Sequence, residues 1–521
     1  MNDGAGSPAH DLPVAPAGLQ PGQVIDGFRL EERLHVGGMA VLWGVTRCVE
    51  GPSAAAGDEP ALIMKVPRIK GGEDPASIVG FEVERMIMPT LGGPHVPRFF
   101  AKGDFTRQPH IVMERIPGAS LKARFDESPL AFDEVTEIGA RVAAALHDLH
   151  RQHVIHRDVK PSNVLMRPSG EAVLVDFGLA RHDQLPDLLA EEFVLPLGTG
   201  PYMSPEQVQY VRSDPRSDIF ALGVMLYHFT TGQRPFGAPT SVSGLRRRLY
   251  VEPIPPRAVR QDCPRWLQEI ILRCLEVDPS KRYATAAQLA LALHAPDQVP
   301  LTHRADKLAR SGALTTLKRW FFALGSEPDE RADLEGAHRN VDRNPLILAA
   351  VDTEHGAGAL LEQLRETVRR VLLSEPGARL ACVSVMRTAR VGMDELVDAQ
   401  GRSLHVKQLV ALKHWGQPIR RELRLDEGRI TYHVLEAPDP ASALVDFASR
   451  NKVDHIVMGA RGQSTFRRYL GSVSSQVVAQ SDCTVTVVRA AASSQLKSSE
   501  TAGARESVPG ERGATNGSAW S

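Results

Sequence analysis

Two short strings constrain this chain more than any other feature. The first is His156-Arg157-Asp158-Val159-Lys160-Pro161-Ser162-Asn163, and eighteen residues after Asp158 comes the second, Asp176-Phe177-Gly178. Moving a γ-phosphoryl group needs few kinds of part: positive charge and a divalent metal around the phosphates, a positioned acceptor hydroxyl, and a cover that excludes water. Asp158 can accept the proton of an incoming hydroxyl, and Lys160 can neutralise charge on the migrating group. Asn163 offers a neutral oxygen and Asp176 a carboxylate to Mg2+ (or Mn2+), and such oxygen donors suit a hard cation. A fold for this chain has to bring these side chains to one place.

The flanking pattern says which kind of fold. Residues 24–296 open with strand-like segments, GFRLEERL, VLWGV, ALIMKVPR and HIVMERI. They then turn helical, with apolar residues three or four apart in EVTEIGARVAAALHDLH and WLQEIILRCLEV, the spacing of a helix face. A β-rich half followed by a helical half predicts a bilobal α+β unit. Residues 344–490 instead alternate strand and helix, from PLILAAVD and GALLEQLRETVRRVLL through RLACVSVM to CTVTVVRA. Near-continuous apolar strands in such alternation predict an α/β, doubly wound parallel sheet. Residues 1–23 and 491–521 lack periodicity and read as a disordered arm and tail, and 297–343 as a charged linker. Within the linker, Leu314 to Leu324 is predicted to form a short amphipathic helix that docks on a neighbouring domain.

Composition excludes several classes. Lys and Arg number 61 against 62 Asp and Glu, which argues against a dedicated nucleic-acid binder. Five cysteines are scattered with no CxxC pair, so neither a disulfide framework nor a zinc site is expected. The longest apolar run, Ile219 to Tyr227, has nine residues, where a membrane span needs about 20. The N-terminus lacks the cations and apolar run of a signal peptide. The expectation is a cytoplasmic protein with no membrane span.

The first block resembles a eukaryotic-like Ser/Thr protein kinase of bacterial type: HRDxKxxN, DFG and Ser204-Pro205-Glu206 arrive in that family's order and separations,. The resemblance implies Asp158 and Lys160 as catalytic residues, Asn163 and Asp176 as metal ligands, and ATP as substrate. It places Lys65 on the α/β-phosphates with Glu84 as its ion-pair partner, Glu82 being the rival. Glu114 and Ile116 fall in the hinge that would hold adenine, and Val36, Gly37, Gly38 and Leu42 in the glycine-rich cover. Glu206 is expected to pair with Arg282, and Asp218 to brace the catalytic loop. Lys160, two residues beyond the base, is the Ser/Thr-specific pattern, so protein Ser/Thr hydroxyls are the implied acceptors.

Two departures stand out. His35 replaces the first glycine of the cover and Ala40 the third, which keeps open the alternative of an inactive pseudokinase scaffold with a nucleotide-sensing domain. Arg157 is of the kind that pairs with a phosphorylated activation loop, yet Phe177 to Gly198 contains no Ser, Thr or Tyr. The expectation is that Asp187, Glu191 or Glu192 stands in for phosphate, and that Thr199 contacts the catalytic loop.

In the second block a buried strand runs into Gly459-Ala-Arg-Gly462, and Gly471-Ser472 opens a helix. Glycine amides and a helix N-terminus can hold phosphate. With the strand ending at Asp352, this resembles a universal stress protein domain. The resemblance implies a second nucleotide site of Asp352, Gly459, Gly462, Gly471 and Ser472, and a homodimer through this domain. The stretch from about Val391 to Glu427 fits that family poorly.

Overall fold

The computed structural model describes residues 19–48, 60–69, 75–193, 196–310, 312–325, 344–354, 358–388, 397, 403–460 and 472–489. Gly462 and Gly471 lie outside these residues, as do the N-terminal arm up to residue 18 and the tail.

A six-stranded antiparallel sheet comes first, from β1 (Val24–Ile25), β2 (Phe28–Val36), β3 (Ala40–Arg47), β4 (Leu62–Pro67), β5 (Phe99–Gly103) and β6 (His110–Glu114), in the order β1-β2-β3-β4-β6-β5. Alternation makes it: Phe28 and Leu30, Trp43 and Val45, and Leu62, Met64 and Val66 all turn to one buried face, as a two-residue period requires. Helix α1 (Pro75–Ile87) interrupts the strands and ends in a single 3-10 turn at Thr90.

The helical lobe is built on α2 (Phe132–Arg151) and α4 (Arg216–Thr231), with the short α3 (Leu188–Glu192) between them in sequence and α5 (Arg265–Cys274) and α6 (Ala286–His294) following. Helix α2 buries Val135, Ile138, Val142, Leu146 and Leu149 at helical spacing. Helix α4 contains the nine-residue apolar run and is buried on every side, which explains a run too long for an amphipathic face. Gly232, at φ 70°, closes it in the left-handed conformation that glycine adopts freely,. A hairpin of β7 (Val164–Met166) and β8 (Ala172–Leu174) carries the catalytic loop toward Asp176.

The expected linker begins later than residue 297. Val299 and Ala305 are buried, Thr302 Oγ1 donates to Glu269 (2.9 Å), and Gln268 donates to the Arg304 carbonyl (2.7 Å). Glu269 and Gln268 lie on the inner face of α5, so the segment completes the lobe rather than leaving it. The predicted amphipathic helix forms as α7 (Ala313–Gly325). Arg319 ties it to Glu252 (2.6 Å), while Leu314, Leu317 and Phe321 face solvent. An ion pair rather than its apolar face attaches it.

The C-terminal unit is a five-stranded parallel sheet: β9 (Leu346–Ala350), β10 (Arg379–Arg387), β11 (Ile430–Ala437), β12 (His455–Ala460) and β13 (Thr484–Arg489), ordered β11-β10-β9-β12-β13. Helices α8 (Gly358–Ser374), α9 (Leu404–Glu422), α10 (Pro440–Arg450) and α11 (Ser472–Gln480) alternate with the strands. The order reverses at β9, and in doubly wound sheets ligands bind at that switch point, beyond the carboxyl ends of the strands.

One apolar cluster crosses between the two units. Phe81 of α1, Phe105 and Leu188 of α3 share it with Met386, Leu409 and Val434 of the C-terminal unit. Helix α3 packs between α1 and β11.

Candidate active site

Convergence on Asp158 starts with backbone held in an unusual conformation. Arg157 has φ 66° and Asp176 φ 69°, a region side-chain-bearing residues enter only when their surroundings compel it. At Arg157 the compulsion comes from Asp218, buried on α4, whose carboxylate accepts the amides of His156 (2.9 Å) and Arg157 (2.8 Å) and faces His150 Nε2 at 2.9 Å. Burial pushes the Asp218 carboxyl up, yet His150 and these amides hold it below the ordinary carboxylate range. Asp218 thus braces the catalytic loop, where the sequence placed it.

Both carboxylate oxygens of Asp158 are engaged. Oδ1 accepts from Thr199 Oγ1 (2.6 Å) and its amide (3.1 Å), and Oδ2 from Lys160 Nζ (2.6 Å) and Asn163 Nδ2 (3.0 Å). Lys160 also donates to Thr199 Oγ1 (2.9 Å). The Thr199 hydroxyl is therefore committed to the catalytic loop. Because Asn163 donates through its nitrogen, its Oδ1 is turned the other way, where Ser162 Oγ meets it at 3.2 Å.

Across the cleft, Lys65 Nζ donates to Glu84 Oε2 (2.5 Å) and Asp176 Oδ1 (2.9 Å). Lys65 lies on β4 and Glu84 on the buried face of α1, so the pair fixes helix to sheet. Glu82, the rival partner, points elsewhere and binds Lys413. Lys65 lowers the Asp176 carboxyl to about 2 against the opposing effect of burial. The same carboxylates raise the Lys65 ammonium although burial opposes them. Both groups are charged at neutral pH. Phe177 is fully buried with its ring 5.1 Å from that of His156, tying the second motif to the first. Oxygens of Asn163 and Asp176 offer a hard cation two protein ligands, which is what Mg2+ takes when phosphate oxygens and water fill the remaining positions.

The glycine-rich cover forms despite its substitutions. Val36 pairs with Val41 and His35 with Leu42 across the β2–β3 hairpin, and Gly37 N–H closes it on the Ala40 carbonyl (2.9 Å). Arg68 donates to the Gly37 carbonyl (2.8 Å), a contact the sequence did not suggest. A side chain at Gly37 would meet the Ala40 oxygen at 3.3 Å, whereas around Gly38 the space is open. Hinge residue Glu114 spends its N–H on the Arg98 carbonyl (2.8 Å) and its carboxylate on Arg167 (2.5 and 2.9 Å). Arg115 N–H goes to Ala61, and Ile116 follows, largely buried.

The three acidic candidates of the activation segment separate. Asp187 caps α3, accepts from Arg212 Nε (2.6 Å) and lies 3.7 Å from Arg181. Its carboxyl is pushed up by burial but held below the ordinary range by Arg212, Arg181 and Arg157. Glu191 and Glu192 turn to the C-terminal unit instead. Arg379 Nη2 donates to Glu191 (3.0 Å), and the buried His433 ring sits 3.1 Å from Glu191 and 3.0 Å from Glu192.

Burial disfavours a charged imidazole, but the Glu191 and Glu192 carboxylates win and raise His433 from 6.5 to about 9. A raised pKa contributes stability that is complete below pH 6.5 and fades as pH climbs through about 9,. The shift corresponds to roughly 3 kcal/mol. His433→Gln is therefore expected to lower the melting temperature most at pH 6 to 6.5, with the difference from wild type closing by about pH 10. A melting difference that does not vary with pH would remove His433 from that role.

In the C-terminal unit, Asp352 follows β9 after Val351, while Gly459 is next to last in the adjacent β12, both at the switch point of the sheet. A side chain at Gly459 would meet Leu360 of α8 at 3.0 Å, so packing as well as phosphate binding gives a reason for glycine there. Ser472 opens α11.

The protein kinase domain family matches residues 66–293, and the universal stress protein family matches 345–489. The first match begins just past Lys65, so the cover and that lysine rest on geometry. Among curated proteins, a probable serine/threonine-protein kinase of Clostridium acetobutylicum is 28% identical over 263 residues, covering 50% of this chain and 38% of the relative. One from Clostridium perfringens is 33% identical over 210 residues (40% and 30%), and serine/threonine-protein kinase PknB of Mycobacterium tuberculosis is 30% identical over 274 (52% and 42%). The chain thus spans less than half the length of these relatives. No helix among the described residues is long and apolar enough to cross a membrane. Match and geometry agree that residues 66–293 are a protein kinase domain and residues 345–489 a universal stress protein domain, and the curated relatives of the first are bacterial serine/threonine-protein kinases.

Proposed function

We propose that the chain is an ATP-dependent protein kinase acting on Ser or Thr hydroxyls. The observation that carries this is the hydrogen-bonded set of Asp158, Lys160, Asn163 and Thr199 facing the Lys65–Glu84–Asp176 cluster. Asp158 would take the acceptor proton and Lys160 would balance charge on the moving phosphoryl group. Lys65, held by Glu84, would hold the α/β-phosphates beneath Val36, Gly37, Gly38 and Leu42, with adenine against the backbone of Glu114 and Ile116. Asn163 and Asp176 would hold Mg2+ or Mn2+, which when bound offsets phosphate charge. The inactive-scaffold alternative has less support, because an intact ion pair and a charged Asp176 are what a scaffold could lose. Transfer of label from γ-labelled ATP with Mg2+ to Ser or Thr of the chain or of a basic acceptor protein is the test, and its absence would overturn the reading.

Asp187 is the residue we assign as the stand-in for loop phosphate, supported by its place among Arg181, Arg212 and Arg157. The active protein is then expected to carry no stoichiometric phosphate on Thr199 in peptide mapping. Asp187→Ala is expected to lower kcat about tenfold, equivalent to about 1.4 kcal/mol. Full activity in that variant would refute the assignment.

For the C-terminal domain, the proposal is a second nucleotide held by Asp352, Gly459 and Ser472, together with Gly462 and Gly471, which lie outside the described residues. Homodimerisation is the other reading, favoured by β13, which among the described residues pairs on one side only.

A further inference from the structure

The kinase domain touches its C-terminal neighbour through the two elements on which the catalytic arrangement depends. Helix α1 directs Glu84 inward to Lys65, while Glu82 and Arg85 of the same helix reach the C-terminal unit. Glu82, half-buried, accepts from the buried Lys413 Nζ of α9 (2.7 Å). Arg85 reaches Glu427 (3.3 Å), which also takes Lys102 of β5 (2.5 Å) and lies 3.4 Å from Arg420. Lys413 sits 5.3 Å over the Phe105 ring, itself edge-on to Phe81 of α1 at 6.0 Å. Helix α3, whose first turn is capped by Asp187, is held at its other end by Arg379 and His433.

Chemically this is an adjustable contact. Burial pushes the Glu82 carboxyl up, but Arg85 and Lys413 hold it at about 2, so these are charges taken out of water. Buried ion pairs add little net stability, because desolvation consumes most of their attraction, yet breaking one partner is costly. Among the described residues, Glu82 Oε1, Arg85 Nε, Glu192 Oε2 and Arg379 Nε are buried with no hydrogen-bond partner, and a cavity of about 70 Å3 lies between Glu82, Arg85, Lys413 and Glu427. Such a surface specifies one docked arrangement and can be released by modest energies.

We infer that Lys413, Glu427, Arg379 and His433 are positioning residues for phosphoryl transfer. The first two hold α1 so that Glu84 stays on Lys65, and the second two hold α3 so that Asp187 stays on its arginines. Docking of the C-terminal domain thereby sets the activity of the kinase domain, and ligand binding in either domain is linked reciprocally to binding in the other. A path inward exists: Gln408 of α9 donates to Glu354 (2.6 Å), two residues beyond Asp352. Occupancy at the switch point of the parallel sheet can thus be felt at α1.

This inference rests on the kinase reading, and the full-length chain tests the two separately. Wild-type transfer that depends on Asp158 secures the reading. Glu427→Lys, which places a further cation among Arg85, Lys102 and Arg420, and Lys413→Glu are then each expected to lower kcat about tenfold or more, within the 5- to 150-fold range of coupled sites. Lys413→Arg, which keeps the cation opposite Glu82 but changes its shape, is expected to retain more activity than Lys413→Glu. Hydrogen exchange is expected to accelerate in residues 75–91 and 186–193 of the charge-reversed chains while the strands β9 to β13 stay protected, which separates loss of hold from loss of fold. Should charge reversal unfold the C-terminal domain, the milder Lys413→Met carries the same comparison. Wild-type kcat in both charge-reversed chains, or unchanged exchange in α1 and α3, overturns the inference. Absence of Asp158-dependent transfer in wild type would instead remove the kinase reading, while exchange still reports whether the hold exists.

Discussion

Asp158→Asn is expected to cut kcat by about 10^3-fold, inside the range general-base residues contribute, with the Kd for ATP changed by less than about threefold. Two effects add. The amide has no basic oxygen for the acceptor proton. It also misfits its surroundings: Thr199 presents two donors to Oδ1, while Lys160 and Asn163 present donors to Oδ2. Whichever way the amide turns, its nitrogen meets a donor, so part of the cluster must move. ATP affinity is spared because Lys65, Glu84 and the hinge backbone make no contact with this carboxylate. Initial rates at saturating ATP and an equilibrium titration of nucleotide check the split. Retention of more than about a tenth of wild-type kcat would mean that Asp158 is not the base.

The largest expected loss of stability is at Arg282. Its guanidinium is fully buried and meets Glu206 through two parallel bonds, 2.6 and 2.8 Å, lies over the Phe220 ring at 4.9 Å, and donates to the carbonyls of Glu276 and Arg216. Ser217 supplies Glu206 with one further donor (2.7 Å). Arg282→Met keeps volume and removes the charge, leaving Glu206 with Ser217 alone. Breaking a buried pair from one side costs about 3–5 kcal/mol, which for a domain of this size lowers Tm by roughly 10 °C. Removing both charges in Glu206→Gln/Arg282→Met is expected to restore part of that loss, since no uncompensated ion remains. Calorimetry of the three chains decides it. A single substitution no worse than the double would show that the pair, and not the stranded carboxylate, sets the cost.

Much of the kinase domain could be read from local chemistry. Asp158, Asn163 and Asp176 stand in motifs whose spacing is fixed by short turns, and the choice of Glu84 over Glu82 came from the family resemblance. The fit at Arg68 with Gly37 was not legible, because a surface arginine after a strand carries no signal of its partner. Helix α9 was missed for a physical reason. It contains Gly416 and Pro418 and buries His405, Gln408 and Lys413 among its apolar residues, so its periodicity is blurred. The tolerance comes from context: Gly416 lies against Tyr432, where a side chain would come within 2.8 Å of the ring, and Lys413 is polar because its partner is the kinase domain. The stretch from Val391 to Glu427, expected to fit that family poorly, lies inside the family match, and its helix α9 answers to the kinase domain. The three acidic residues of the activation segment were likewise indistinguishable in sequence, since only the tertiary fold assigns Asp187 to arginines within the kinase domain and Glu191 and Glu192 to Arg379 and His433.

The apolar cluster shared by Phe81, Phe105, Leu188, Met386, Leu409 and Val434 bears on how the protein can be handled. Severing the chain between its halves would open a water-facing hydrophobic patch on each, adjoining stranded charges at Glu82, Arg85 and Glu427. Exposed patches of that kind drive self-association, so each separated half would be harder to keep in solution than the whole chain, and the catalytic rate of the kinase half would describe a molecule deprived of the surface against which α1 is set.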